Sequence, residues 1–536
     1  MHYRLLQPLG HFGGLARVKS YKNKIEKEFP DALISVLPGD FLSPSALGTA
    51  AYTAETADGA GRKTRLYGKQ MVDVLNEIGL DVATFGNHEF DVPYLDFSDR
   101  IHEAKFPFVT TNVFSAVEGS VGERFHNTVS SMFLTRKGVT FAFVGVVIDA
   151  NKGTSETFAQ IPTFAESVPL VIAEIENWKK SGKKWDVLVA VTHLNLEDDI
   201  RLAELVPQID LILGGHEHEN WYINRGDYLH PLVISKADSN VKTVFTHRMK
   251  FYPKKIVKGD GFGSARQNPG ALKLESELYT IDDTLTGDTT VATTVEKWWQ
   301  LAKKAFEDTG INIDSAMAYL PHDLDVTEKV VRHQSPSEFG AFMAESFFDH
   351  AMLAEMAVQA KPIFSIFNTG SIRMDDKLHE GLMSEYDVLR LLPFGGELRL
   401  ASTTGARLAQ AFALGLSKPG KGSWMAYSSK HLQCGSVASE PGYKECKYKA
   451  EDGTWTAFEN DKEYVFVTVE YIASGGDNYF PIDPDTNNRD YLKILETKFP
   501  MNLQLSMRDS FQKSYPIPAD YQRLKRQTGG VIFKGF

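Results

Sequence analysis

The stretch Ala83-Thr84-Phe85-Gly86-Asn87-His88-Glu89-Phe90-Asp91-Val92 sets an amide, an imidazole and two carboxylates directly behind an apolar run. A tight turn would need only the Gly and the Asn. The remaining polar groups ask for a chemical reason. The apolar residues before them have strand length, so the cluster sits where a strand gives way to a loop. In open α/β sheets, ligands gather beyond the carboxyl ends of strands.

The same theme recurs on both sides of this stretch. Residues 32–40 (ALISVLPGD), 185–195 (WDVLVAVTHLN) and 209–219 (IDLILGGHEHE) each run from an apolar strand into a polar loop, and 139–148 (VTFAFVGVVI) is a further apolar strand. Helical spacing separates them, as in 68–80 (GKQMVDVLNEIGL). Short, nearly all-apolar strands alternating with helices predict a sheet covered on both faces. The fold class is α/β.

The chain has 536 residues, more than one ordinary core accommodates, so at least two domains are expected. Hydrophobic residues make up 43% and charged residues 24%, the profile of a folded globular protein. A net charge of -11 without a basic run argues against a nucleic-acid binder. A small anionic substrate is still compatible, because a metal supplies local positive charge. No apolar run reaches the roughly 18 residues of a membrane span, and no signal peptide opens the chain as written. The two cysteines, Cys434 and Cys446, are able to form one disulfide but are too sparse to indicate a compartment. The sequence carries no signal for oligomeric state.

Residues 293–310 (TTVEKWWQLAKKAFEDTG) read as an amphipathic helix between domains. The division expected is 1–285, a linker helix over 286–315, and 316–536. The second part has its own alternation, in 361–373 (KPIFSIFNTGSIR), 388–403 (VLRLLPFGGELRLAST) and 463–480 (EYVFVTVEYIASGGDNYF). The Gly/Lys/Ser-rich region Lys418–Lys449 reads as an exposed excursion.

Four strand-end loops of the first part carry ligand-type residues: Asp40, then Asn87 with His88, then His193, then His216 with His218. Singly, each has a plain reading, since a strand-end Asp caps helices and a lone His is usually structural. Together and in order they predict a site for one or two metal ions. Oxygen and imidazole donors suit Zn, Mn, Fe or Mg. One carboxylate bridges two cations roughly 3.5–4 Å apart in sites that displace phosphoryl groups in line. His88 would face the phosphate rather than bind metal, and Asp91 would orient its ring.

The motifs GDFLSPS, GNHEFD, THLN and GGHEHE resemble those of the calcineurin-like metallophosphoesterases, in particular the 5′-nucleotidase and UDP-sugar hydrolase branch. The resemblance runs over nearly the whole chain. It implies a four-layer α/β/β/α metal-binding domain, a C-terminal α/β substrate-binding domain, and an active site in the cleft between them. It further implies Asp40 as the bridging ligand, Asn87, His193 and His216 on one metal, His218 on the other, and His88 with Asp91 as the catalytic pair. In the C-terminal part it implies Asn368, Gly370 and Arg373 from FNTGSIR as substrate contacts, with Phe394 and Tyr479 sandwiching a base. The segment VVRHQSPSEFGAF departs from the family's usual Arg-rich spelling, with Arg332 as its substitute.

The family's chains begin with a strand ending in Asp-x-His or Asp-x-Tyr. Aligning Tyr3 with the His/Tyr slot puts Met1 in the place of the Asp. Two expectations follow: the first strand and its ligand lie ahead of the chain as written, or the site works with one ligand fewer and one metal in place of two. The activity implied is phosphate release from nucleoside 5′-monophosphates. The alternatives are a cyclic-nucleotide phosphodiesterase, a sugar-phosphate phosphatase, or an inactive nucleotide-binding protein.

Overall fold

The computed structural model describes residues 12–56, 59–149, 158–226, 231–252, 271–334, 336–355, 361–436, 444–481, 489, 491–495 and 501–519. The Met1 and Tyr3 positions lie outside the described residues. The chain divides into two compact units, Met1–Ala305 and Phe306–Phe536. The predicted connecting helix is Thr289–Glu307.

Two sheets form the centre of the first unit. One is parallel and runs Val36–Pro38, Val82–Thr84, Phe108–Val109, Thr128–Val129 in spatial order. The other runs Trp221–Asn224, Val233–Lys236, Leu211–Gly214, Val187–His193, Val139–Val147, Ser131–Arg136. Its four inner strands are parallel and its two edge strands antiparallel.

Strand alternation assigns the faces. Val187, Val189 and Val191 join Val82 and Val109 in a core between the sheets. Leu188 and Ala190 point the other way, into a core with Val171, Ile175 and Leu202 from the helices Phe164–Lys180 and Leu196–Leu205. On the far side of the parallel sheet, helix Lys69–Ile78 buries Met71, Val74, Leu75 and Ile78. Helix, sheet, sheet, helix is the four-layer order.

The loop after Val82–Thr84 is fixed by aromatic packing. Phe85 stacks on Phe108 at 4.6 Å between centroids and meets Phe90 edge-on at 5.6 Å. Such pairs contribute about 0.5–1.5 kcal/mol each beyond burial. The polar residues 87–89 therefore hang on a rigid apolar base.

In the second unit, Leu398–Thr404 pairs antiparallel with both Glu463–Val469 and Lys493–Leu495. Ile366–Asn368 pairs with Met425–Tyr427. The helices Gly405–Gly415 and Leu503–Ser514 close the core with Leu408, Phe412, Met507 and Phe511. The region Lys418–Lys449 is only partly the exposed excursion expected. Trp424, Met425, Ala426 and Tyr427 are buried, because this short apolar run supplies a buried strand. Beyond it, the Cys434–Cys446 disulfide joins two paired strands. Among the described residues, no helix is long and apolar enough to cross a membrane.

Candidate functional site

His193 ends its strand in phase with Val187, Val189 and Val191, so it points toward the parallel sheet. There its Nδ1 donates to the Pro38 carbonyl at 2.7 Å. A carbonyl only accepts, so the proton sits on Nδ1 and Nε2 is left to face Asp40. Nε2 stands 3.0 Å from Asp40 Oδ2, off hydrogen-bond alignment. The other Asp40 oxygen, Oδ1, accepts from the His88 backbone N–H at 2.9 Å. Asp40, His193 and His216 each offer a ligand atom within 4.8 Å of the others. The His216 ring meets His193 edge-on, 5.2 Å between centroids.

Close approach explains Gly86. A Cβ there would lie 2.1 Å from Asp40 Oδ1 and 2.6 Å from His193 Cε1. Asp40, His216 and His218 all hold left-handed backbone, with φ of 60°, 82° and 56°. Such strain costs about 1–3 kcal/mol per residue and collects at functional sites. Asn87 Oδ1 is buried without a hydrogen-bond partner.

Electrostatics follow from burial. Burial would raise the Asp40 carboxyl, but the nearby His193 and His88 imidazoles and the His88 backbone N–H hold it below the usual range. Burial would lower His193, and the Asp40 carboxylate more than offsets it, leaving its pKa raised. Burial, with His193 nearby, pushes His216 well below its ordinary value, so it is a neutral donor. His218 stands outside the tight trio. His88 Nδ1 and Asp91 Oδ2 are 2.5 Å apart, and Ser43 Oγ donates to the same Asp91 oxygen at 3.3 Å.

In the second unit, Asn368 ends a strand and its Oδ1 accepts from Ser371 Oγ at 2.8 Å. Gly370 N donates to Gly422 O at 2.7 Å, tying this turn to the segment before Trp424. The Arg373 guanidinium lies over the Phe394 ring, 5.1 Å from its centroid. Phe394 is 48% exposed. Tyr479, expected to be its stacking partner, is 1% exposed, with its hydroxyl donating to Ser423 O at 2.8 Å. The exposed ring nearby is Tyr471, at 42%, in the short helix Glu470–Ala473, and its hydroxyl donates to Asp477 Oδ1 at 3.2 Å. Burial raises the Asp477 carboxyl, against the pull of Tyr471, Asn368, Arg373 and Arg332 around it. Arg332 itself pairs with Glu328.

Residues 1–220 match the model of the calcineurin-like phosphoesterases, and residues 318–482 match the 5′-nucleotidase C-terminal domain. The chain belongs to the calcineurin-like phosphoesterases that carry a 5′-nucleotidase C-terminal domain. It is 24% identical over 453 residues to the trifunctional nucleotide phosphoesterase protein YfkN of Bacillus subtilis, covering 78% of this chain but 29% of that protein. It is 24% identical over 446 residues to protein UshA of Yersinia enterocolitica, covering 76% of this chain and 74% of that one. The crystal structure of a 5′-nucleotidase precursor from Thermus thermophilus superposes with a TM-score of 0.74 at 17% identity, over 95% of this chain and 92% of that one. At that identity the superposition shows the two-domain fold.

Within the phosphoesterase domain, sequence reasoning missed Glu89. Its carboxylate, 0% exposed, accepts from the backbone N–H groups of Asp40 (2.8 Å), Phe41 (2.7 Å), Leu42 (3.0 Å) and Gly86 (2.5 Å). It binds the Asp40 loop to the Asn87 loop. Its place between Asn87–His88 and Asp91 was the available signal. Lys236 and Asp199, a fully buried pair beside Gly215, were also missed.

Proposed function

We propose that the chain is a metal-dependent phosphomonoesterase that releases phosphate from nucleoside 5′-monophosphates. The observation that carries this reading is the convergence of Asp40, His193 and His216 within 4.8 Å. The His88–Asp91 pair extends it, because His88 N–H also holds Asp40. The similarity to the Bacillus trifunctional nucleotide phosphoesterase protein supports the same substrate class.

The donors fit divalent ions. His193 has its proton fixed on the far nitrogen, Asn87 Oδ1 is a buried acceptor without a partner, and the oxygen–imidazole set suits Zn, Mn or Mg. Two cations are proposed: Asp40 would serve both, Asn87, His193 and His216 would hold one, and His218 would help to hold the other. When bound, such ions supply positive charge to phosphate oxygens and make water a stronger nucleophile near neutral pH.

The chain's own residues do the rest. Asp91 accepts from His88 Nδ1–H and stabilises the charged ring. His88 then gives its Nε2 proton to the leaving nucleoside oxygen. Phe394 presents one ring face to a base, since Arg373 covers the other. Arg373 and Asn368 meet the sugar or base edge.

The test is phosphate release from a panel: nucleoside 5′-monophosphates, a 2′,3′-cyclic nucleotide and a hexose phosphate, each with chelator and after adding back Mn(II) or Zn(II). The proposal expects metal-dependent release with nucleoside monophosphates preferred. Release without metal, or equal rates for the hexose phosphate, contradicts it.

A further inference from the structure

Lys236 ends the strand Val233–Lys236 at 1% exposure, and Asp199 on helix Leu196–Leu205 is 0% exposed. Lys236 alternates with Ser235, on the face shared with Ile234, and so reaches toward the helix layer. Its Nζ donates to Leu194 O at 2.6 Å and Gly215 O at 2.9 Å, and stands 2.8 Å from Asp199 Oδ2. Two of the ammonium's hydrogens go to the two carbonyls, and Asp199 pairs with it as a counter-ion off hydrogen-bond alignment. The neighbouring strand makes room. Gly214 is in register with Lys236, and a Cβ on Gly214 would lie 3.0 Å from Lys236 Cε and from Asp199 Oδ2.

The two carbonyls are not arbitrary. Leu194 follows His193, and Gly215 precedes His216. One buried cation thus joins the two loops that present neighbouring imidazoles. Burying an ion pair is a poor way to stabilise a fold, because apolar residues of similar volume usually do as well. Its use here points to position.

We propose that Lys236, held by Asp199, is a positioning residue that fixes the separation of the His193 and His216 loops and thereby sets metal affinity. This rests on the metal-centre reading above. Groups of this kind, one step behind the ligands, typically change metal affinity about 10–100-fold when removed.

The experiment titrates Mn(II) into the purified full chain and reads free ion by its EPR signal, with thermal unfolding alongside. The double variant Lys236→Met/Asp199→Leu removes both charges at similar volume. It is expected to unfold close to the wild-type temperature yet bind Mn(II) about 10–100-fold more weakly. Asp199→Asn keeps the two carbonyl bonds and is expected to stay within a few-fold of wild type. Asp40→Asn is the control and is expected to lose tight binding. A folded double variant with wild-type affinity, while the control loses it, shows the pair to be structural only and overturns the proposal. If the double variant does not fold, Lys236→Gln replaces it under the same two outcomes, and Asp199→Asn adds a third. Loss as severe as in the control would put the effect in the ion pair rather than the carbonyl tie, and would also overturn it. Wild-type affinity in Asp40→Asn would instead overturn the metal-centre reading itself.

Discussion

Glu89→Gln is the substitution that most sharply separates a rigid site from a loose one. Each Glu89 oxygen accepts two backbone N–H groups: Oε1 from Phe41 and Leu42, Oε2 from Asp40 and Gly86. Glutamine replaces one oxygen with an NH₂ that faces two donors, so either rotamer loses two bonds. Hydrogen bonds to a charged group contribute about 1.5–3 kcal/mol each, which gives a loss of about 3–6 kcal/mol. Part of this is returned. Burial and the nearby Asp40 carboxylate both raise the Glu89 pKa, so removing its charge relieves repulsion. A net destabilisation of about 3 kcal/mol remains as the working figure. The loss falls on the loops that carry Asp40 and Asn87, so Mn(II) affinity should drop at least tenfold. Urea unfolding and Mn(II) titration on the same preparation measure both. Unfolding free energy within about 1 kcal/mol of wild type, together with unchanged Mn(II) affinity, would refute the claim that Glu89 holds the site together.

Three further outcomes are expected. His88→Ala should retain bound metal while kcat falls about 10²–10⁴-fold; metal analysis beside kinetics checks it, and loss of metal would make His88 a ligand. Phe394→Ala should weaken use of a nucleoside monophosphate by about 1–3 kcal/mol, mostly in KM, and leave a small aryl phosphate nearly unaffected. His247, lodged between the hydroxyls of Ser235 and Ser276, has its pKa lowered by burial to about 4. It is neutral in the fold and ionises near pH 6.5 when unfolded, so its contribution is present above pH 6.5 and is lost as pH falls toward 4. That amounts to about 2 kcal/mol at pH 5 and about 3 at pH 4. His247→Gln should flatten this part of the stability–pH curve, and an unchanged slope between pH 7 and pH 4 would exclude His247 as its source.

The sequence made the strand-end loops legible because parallel strands buried on both faces read as apolar runs, and the polar residues that follow stand out. Asp40, Asn87, His88, His193 and His216 were visible for that reason. Glu89 was not, because its partners Asp40, Phe41 and Leu42 are 47–49 residues away along the chain. Lys236 looks like an ordinary strand-end lysine until its register with Gly214 is known. The second unit was harder. A tyrosine in a Gly-rich loop reads as a ligand platform, but Tyr479 packs into the core while Tyr471, eight residues earlier, takes the surface. Tyr471 sits in the short helix Glu470–Ala473 and Tyr479 follows the turn at Gly476–Asn478, a division that two tyrosines around a Gly-Gly pair do not announce. The same limit hid the buried strand Met425–Tyr427 within a polar region.

The most direct measurement of the central claim is metal content per chain, by elemental analysis, together with phosphate release from a nucleoside 5′-monophosphate, for the wild type and Asp40→Asn. A metal-dependent phosphomonoesterase built on Asp40 should carry about two divalent ions per chain, as in two-metal phosphatases, and release phosphate. The Asp40→Asn chain should lose both metal and turnover. Full metal content and full turnover in Asp40→Asn would contradict it.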